Sequence, residues 1–256
     1  MFIDSHCHLH EPWFPDDSMP KVIQRAKAKG VDLIVNCSSD PTTFEQVRKS
    51  GMFPEIFTTL GLQPTIAPNF LQKDLFGMFS EQLDSSFGDR IVGIGEVGLD
   101  YYWVKDEKQR KNQEAVFIEI IKVANQLDKP LVIHCRKAEG PTLSILEKYA
   151  EVPVLLHSFD GTAEEAKKAV DLGYPATIPT NLTRRKKRRK TAKRFGLENI
   201  MIETDSPFCA PLEDIERNEP GNIPIAARKL AEDFEIEIKE LAKITSSNAK
   251  RFYKIP

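Results

Sequence analysis

Short apolar runs alternate with longer amphipathic segments along all 256 residues. Phe2-Ile3 open the first run and lead straight into Asp4-Ser5-His6-Cys7-His8-Leu9. Seven more runs follow, at Val31–Cys37, Ile56–Gly61, Ile91–Glu96, Leu131–His134, Val152–His157, Tyr174–Ile178 and Asn199–Asp205. Helical periodicity separates them, over Lys21–Lys29, Asp40–Lys49, Leu71–Leu83, Glu107–Leu127, Thr142–Tyr149, Thr162–Leu172 and a basic segment after Ile178. Gly30 and Gly173 stop two of these helices, Pro41 starts another, and Thr162 to Glu165 form a capping-box sequence. A Pro- and Asp-rich loop spans Pro12 to Pro20, and two more helices are expected at Ile223–Phe234 and Ile238–Tyr253. Eight strands alternating with helices, with no break in composition, predict an α/β fold. We read it as a single (β/α)8 TIM barrel over residues 1–256, with a doubly wound open sheet as the alternative.

A hydrophobic content of 41% supplies a sizeable core, and a net charge of −2 gives no global attraction to an anionic partner. Cys7, Cys37, Cys135 and Cys209 are scattered without a C-x-x-C pair, which fits a reducing compartment. Cys7 and Cys135 each follow a candidate ligand histidine, and strand alternation turns both toward packing. No apolar run approaches the ~20 residues that span a bilayer. Met1-Phe2-Ile3 runs directly into a strand, leaving no room for a signal sequence. The expectation is a soluble cytoplasmic protein with no membrane contact and no obligate protein partner.

Alternate residues of an extended strand share a face, so His6 and His8 sit roughly 6–7 Å apart at the backbone and on one side. Both can converge on one ion about 2 Å from each. Alone, H-x-H also fits a surface hairpin. The chain holds five histidines, however, and His8, His134 and His157 each close an apolar run. Glu96 closes the fourth run and Asp205 the eighth. In a barrel the C-terminal strand ends share one rim, so all six groups should converge. Ionisable groups there are costly unless paired or metal-bound. Four imidazoles and two carboxylates exceed one four-coordinate ion and suit two, about 3.5–4 Å apart. His6 and His8 with Asp205 would hold the first, His134 and His157 the second, and Glu96 would bridge. A metal makes bound water acidic, Asp205 could take its proton, and the expected reaction is metal-assisted hydrolysis.

These residues also resemble a known family. Asp4-Ser5-His6-Cys7-His8-Leu9, Ile94-Gly95-Glu96-Val97-Gly98-Leu99-Asp100-Tyr101, Val132-Ile133-His134-Cys135-Arg136, His157-Ser158-Phe159-Asp160-Gly161 and Ile202-Glu203-Thr204-Asp205-Ser206-Pro207 are similar to the motifs of TatD-type metal-dependent deoxyribonucleases, within the amidohydrolase-like barrels. Arg217-Asn218-Glu219-Pro220 followed by Ile223-Pro224 resembles a further motif. The likeness runs the whole chain in order. It implies a distorted TIM barrel, one or two divalent ions (Mg²⁺, Mn²⁺ or Zn²⁺) and hydrolysis of phosphodiester bonds in DNA. Carried over motif by motif, the ligands are His6, His8, Glu96, His134, His157 and Asp205. One departure is Gly61-Leu62-Gln63-Pro64, where the family usually shows Gly-x-His-Pro. Gln63 hydrogen-bonds but does not titrate near pH 7, which points to a slower enzyme or another substrate if that position serves catalysis.

Arg184 to Arg194 holds nine lysines and arginines in eleven positions. Such runs are often solvated helix faces. This one follows the seventh strand, so it starts at the rim and could focus an anionic substrate there. Arg184, Arg185, Gln63 and Arg136 are the candidate phosphate contacts, with a rim ion pair as the bland alternative for Arg136. Tyr101, Tyr102 and Trp103, with Trp13 and Phe14, could stack on bases or simply pack. Glu203 is expected beside Asp205 as support rather than ligand, and His10 and Cys209 as loop residues. The leading expectation is a deoxyribonuclease, exonucleolytic on single-stranded or frayed DNA. Hydrolysis of an amide, lactone or ester on the same metals, or a nucleic-acid-binding module with an impaired site, are the alternatives.

Overall fold

Eight strands follow one another in chain order around one parallel sheet. They are β1 (Phe2–Cys7), β2 (Val31–Cys37), β3 (Ile56–Leu60), β4 (Ile91–Asp100), β5 (Leu131–Arg136), β6 (Val154–His157), β7 (Ala176–Pro179) and β8 (Ile200–Glu203). Between them lie α1 (Met19–Ala28), α2 (Phe44–Ser50), α3 (Leu75–Leu83), α4 (Glu107–Gln126), α5 (Glu139–Tyr149), α6 (Ala163–Asp171) and α7 (Lys186–Phe195), and α8 (Ile223–Phe234) and α9 (Ile238–Tyr253) follow β8. This is the expected TIM barrel, and the open sheet is excluded. The computed structural model describes residues 1–14 and 19–256, so part of the loop expected from Pro12 to Pro20 lies outside the described residues. Met19 and Pro20 already belong to α1. Among the described residues no helix is long and apolar enough to cross a membrane.

Strands β1, β3, β4, β6, β7 and β8 are buried along their whole length, as parallel strands sheathed by helices must be. Ile3, Val35, Phe57, Val92, Val132, Leu155 and Met201, one residue from each of seven strands, pack together inside the barrel. Ala249, Phe252, Tyr253 and Ile255 join them, so the end of α9 plugs the barrel floor. The opposite, C-terminal rim is where sites of this fold form.

Backbone ladders link each neighbouring pair from β1–β2 to β7–β8. The β8–β1 junction is stitched by individual bonds instead. Ser5 Oγ donates to Ile202 O (2.7 Å), Thr204 N and Oγ1 donate to the Asp4 carboxylate, Asp205 N donates to His6 O (3.0 Å), and His8 N donates to Ser206 O (2.8 Å). Asp4 therefore turns to this seam rather than sharing the outlook of His6 and His8.

Several boundaries differ from the sequence expectation for local reasons. Ala67–Phe70 form a separate 3-10 turn, and α3 begins only after Asp74 caps the amide of Gly77. Pro41–Thr43 likewise form a 3-10 turn ahead of α2. The capping box at Thr162 and Glu165 forms as expected. The difference that bears on the rim is β4, which continues four residues past Glu96 to Asp100. Gly95 and Gly98 look like terminators, yet they take φ values of +158° and +140° and let the strand kink and go on. Register slips between Ile94 and Val97, which leaves Glu96 on the irregularity.

Gly61, just past β3, makes room for that irregularity. A Cβ there would lie 2.1 Å from Glu96 N and 2.4 Å from Glu96 O. Gly61→Ala must therefore push the β4 backbone away. Overpacking of this kind costs about 1–3 kcal/mol, a fall of about 3–10 °C in melting temperature for a chain of this size. An unchanged thermal midpoint would show that this close approach does not exist.

Candidate metal centre

Six side chains gather at the rim. His6 comes from β1, His8 from the residues just after it, Glu96 from the β4 irregularity, His134 from β5, His157 from the end of β6, and Asp205 from two residues beyond β8. All but the fully buried His6 line one cavity of about 700 Å³. Glu96 lies at the middle. Its Oε2 is 3.6 Å from His6 Nε2 and 3.3 Å from His8 Nε2, and its Oε1 is 2.8 Å from His134 Nδ1. Asp205 Oδ1 is 3.8 Å from His6 Nε2 and 3.6 Å from His8 Nε2. The His6 and His157 rings stack with centroids 3.8 Å apart. A second groove, of about 500 Å³ between Met1, Phe2 and α9, lies at the other end of the barrel.

A further layer of groups orients these six. His157 Nδ1 meets Glu203 Oε2 at 2.9 Å, as expected for a supporting carboxylate. His134 Nε2 lies 3.0 Å from Asp100 Oδ2, and His8 Nδ1 donates to Cys37 O at 2.9 Å. Cys37 Sγ is 3.1 Å from His6 Nδ1. Carboxylates and carbonyls on the outer nitrogen of a histidine fix which nitrogen faces inward. Asp100 and Cys37 were not singled out from sequence. Cys37 closes an apolar run just as the histidines do, and that position was its signal. Cys7 and Cys135 are buried in the core as expected. Cys209 is a loop residue whose thiol nonetheless donates to Asp205 Oδ2 at 3.3 Å. His10 is buried, with Nδ1 bonded to Glu11 O.

The donor set fits a cation. His6 Nε2 is fully buried without a hydrogen-bond partner among the described residues, an arrangement that is costly unless something is bound there. Three triplets of ligand atoms each lie within 4.8 Å of one another: His6, His8 and Glu96; Glu96, His134 and His157; His6, His157 and Asp205. Glu96 belongs to two triplets, with a different oxygen facing each histidine group, as a bridging carboxylate would. Imidazole with carboxylate suits Zn²⁺ or Mn²⁺, and Mg²⁺ prefers more oxygen.

Charge in the cluster is strongly coupled. Burial pushes against ionised Asp205, but His8, His157 and His6 outweigh it and hold the carboxyl down at about 2. Burial likewise opposes ionised Glu96, and His134, His6 and His8 hold it well below the usual range. For His8 and His134 burial favours the neutral ring. Asp205 and Glu96 overcome it for His8, Glu96 and Asp100 for His134, and both reach about 10. His6 is lowered, first by burial and then by His157. Both candidate carboxylate ligands are thus anionic at neutral pH.

The rim separates the remaining candidates. Arg185, exposed and unpartnered among the described residues, lines the cavity together with Arg136 and Gln63. Arg184 does not line it; its guanidinium bonds Ala210 O (3.0 Å) and pairs with Glu213. Among the described residues Arg136 makes no rim ion pair, and it lies over Tyr102, 4.1 Å from the ring centroid. Tyr102, Trp103 and Trp13 face the cavity. Tyr101 turns away to Glu114 and Arg110, and Phe14 is buried in the core. Sequence alternation could not separate these neighbours, because they lie beyond the regular strands.

An eight-stranded barrel with imidazoles and carboxylates at its C-terminal rim defines the class of metal-dependent barrel hydrolases. The family model described as TatD related DNase matches residues 3–254. A human protein named deoxyribonuclease TATDN3 is 32% identical over 98% of this chain and 94% of its own length. The Bacillus subtilis protein YabD, named a metal-dependent hydrolase, is 31% identical with 100% of both chains covered. The crystal structure of YJJV, a TatD homologue from Escherichia coli, superposes with a TM-score of 0.88 at 25% identity, covering 100% of this chain and 98% of that one. The chain belongs to the TatD-related DNase family, and it is a metal-dependent hydrolase acting on ester bonds.

A bound ion should stabilise the fold by mass action. Zn²⁺ or Mn²⁺ at a hundred times its dissociation constant contributes about 2.7 kcal/mol, or roughly 5–10 °C in melting temperature. His6→Ala should abolish that gain in a thermal melt with and without metal. An equal gain in wild type and variant would place the ion elsewhere.

Proposed function

We propose that the chain is a divalent-metal-dependent deoxyribonuclease of one catalytic domain, exonucleolytic on single-stranded or frayed DNA. The observation that carries the reading is Arg185, a cation without an ion pair among the described residues, on the wall of the same cavity that five of the six donors line. An amide, lactone or neutral ester makes no use of it; a phosphodiester does. Depth supports the preference for unpaired ends. His6, Glu96 and His157 are almost wholly buried, and a base-paired rod cannot bring a phosphate that far without fraying. Four free thiols accord with a cytoplasmic setting.

In this reading His6, His8 and Asp205 would hold one ion, His134 and His157 a second, and Glu96 would serve both. Bound there, Mg²⁺, Mn²⁺ or Zn²⁺ would acidify a water and neutralise charge on the phosphoryl oxygens. The protein does the rest. Asp205, ionised and aimed into the cavity, takes the proton of the attacking water as general base. Glu203 and Asp100 keep His157 and His134 in one orientation through the reaction. The Gln63 carbonyl oxygen accepts from the Thr65 hydroxyl, which leaves its amide NH₂ as a fixed, non-titrating donor for a phosphate oxygen. Arg185 and Arg136 add charge-assisted bonds to the non-bridging oxygens.

Labelled single-stranded DNA with added metal tests this directly, with a panel of esters and amides alongside. Asp205→Asn should lower kcat by about 10²–10⁴-fold, the usual contribution of a positioned base. Equal cleavage by wild type and variant would assign the activity to a contaminant. Arg185→Gln should weaken DNA binding and reduce its log–log salt slope by about 1. Faster turnover of a neutral ester than of DNA, indifferent to Arg185, would transfer the enzyme to another substrate class.

A further inference from the structure

Ten large apolar side chains are exposed among the described residues, and four of them stand at the mouth of this cavity. Tyr102 and Trp103 follow β4; Trp103 is 62% exposed. Their rings meet edge to face at 4.9 Å, and the Arg136 guanidinium extends the surface by lying over Tyr102. Trp13 and Phe208 follow β1 and β8 and meet edge to face at 5.0 Å. In a barrel of eight strands in chain order, β4–β5 and β8–β1 lie half a turn apart. The two aromatic pairs are therefore opposing walls, with the candidate metal cluster on the floor between them.

Each wall is tied to that floor. The Asp100 carboxylate that contacts His134 also accepts from the amides of Tyr102 (2.9 Å) and Trp103 (2.8 Å). Phe208 N donates to Asp205 O (2.8 Å), and the Phe208 ring lies 6.4 Å from that of His8. Exposed rings held in fixed relation to reacting groups, with a cation alongside, are what single-strand binders use to stack bases irrespective of sequence.

We infer that the two walls are base-stacking platforms, one on each side of the scissile phosphate, and that they hold the flanking bases apart over the metal centre. The inference rests on the deoxyribonuclease reading and adds to it which residues set substrate choice. The substrate must present unpaired bases on both sides of the cleaved bond.

Trp13 and Trp103 are the only two tryptophans of the chain, so each wall carries its own fluorescent reporter. Trp13→Phe leaves Trp103 as sole reporter, and Trp103→Phe the reverse. A short oligothymidylate added in EDTA, where turnover stops, should quench both. With metal, Trp13→Ala and Trp103→Ala should each raise KM about 5- to 100-fold with little change in kcat, and the phenylalanine variants should recover most of the loss. A single baseless nucleotide on one side of the cleaved bond should cancel the penalty of one wall's alanine variant and not the other's. Absence of quenching, unchanged KM in both alanine variants, or a baseless penalty that neither variant absorbs would overturn the inference. Quenching is read without turnover. Wild type that cleaves no DNA would thus refute the nuclease reading, while quenching would still decide for or against the walls.

Discussion

One buried carboxylate joins the first strand of the barrel to the last. Asp4 accepts both the amide and the hydroxyl of Thr204, where no continuous ladder connects β1 with β8. Burial lifts its pKa to about 7 against the pull of those bonds. An ionisable group held in such a place is expensive to desolvate and earns little net stability. What it does is set relative position. His6 and His8 lie on one side of the seam and Asp205 on the other, and their donor atoms come within 3.6–3.8 Å. The bonds from Asp205 N to His6 O and from His8 N to Ser206 O repeat the same alignment.

The rest of the rim shows a related principle, in which irregular backbone is tolerated where neighbours over-determine it. Lys137, Ser158, Asp205 and Cys209 all take positive φ, just beyond the ends of β5, β6 and β8. Asp205 at +54° has its N–H bonded to His6 O and its carbonyl bonded by Phe208 N. Ser158 at +47° has its N–H bonded to Thr177 Oγ1, and its carbonyl takes the guanidinium of Arg188. Glu96 depends in the same way on two glycines. Gly95 takes a conformation a side chain would resist, and Gly61 leaves the volume into which the β4 backbone moves. These departures from regular strand geometry swing side chains from different strands toward one point.

This division explains what the sequence could reveal. Runs such as Val31–Cys37, Ile223–Phe234 and Ile238–Tyr253 match the structure end to end, because periodicity and local stop signals decide them. The gathering of six polar groups was also legible, since barrel topology alone sends strand ends to one rim. Of their supports only Glu203 was. Asp100 stood hidden because Gly95 and Gly98 resemble the end of a strand, although tertiary contact carries β4 through them. Cys37 closes an apolar run, but only the close approach of β1 and β2 sets its sulfur beside His6. The orientations of Tyr101 against Tyr102, and of Arg184 against Arg185, follow from loop paths that no period encodes.

The basic run shows how far composition can mislead about available charge. Arg188 is bonded to the carbonyls of Ser158 and Phe159, Lys187 to Asp160, Arg189 to Asp233, and Arg184 to the segment carrying Ala210 and Glu213. Three of its nine charges thus brace the loops after β6 and β8, a fourth, Arg189, pairs with α8, and the surface pairs among them contribute little to stability. They contribute position instead, because Ser158 and Cys209 belong to those loops and line the cavity. What faces the substrate space is a small number of placed groups rather than a diffuse positive field. In a chain of net charge −2, that arrangement favours an anion seated over the candidate metal cluster and discourages loose adhesion along the helix.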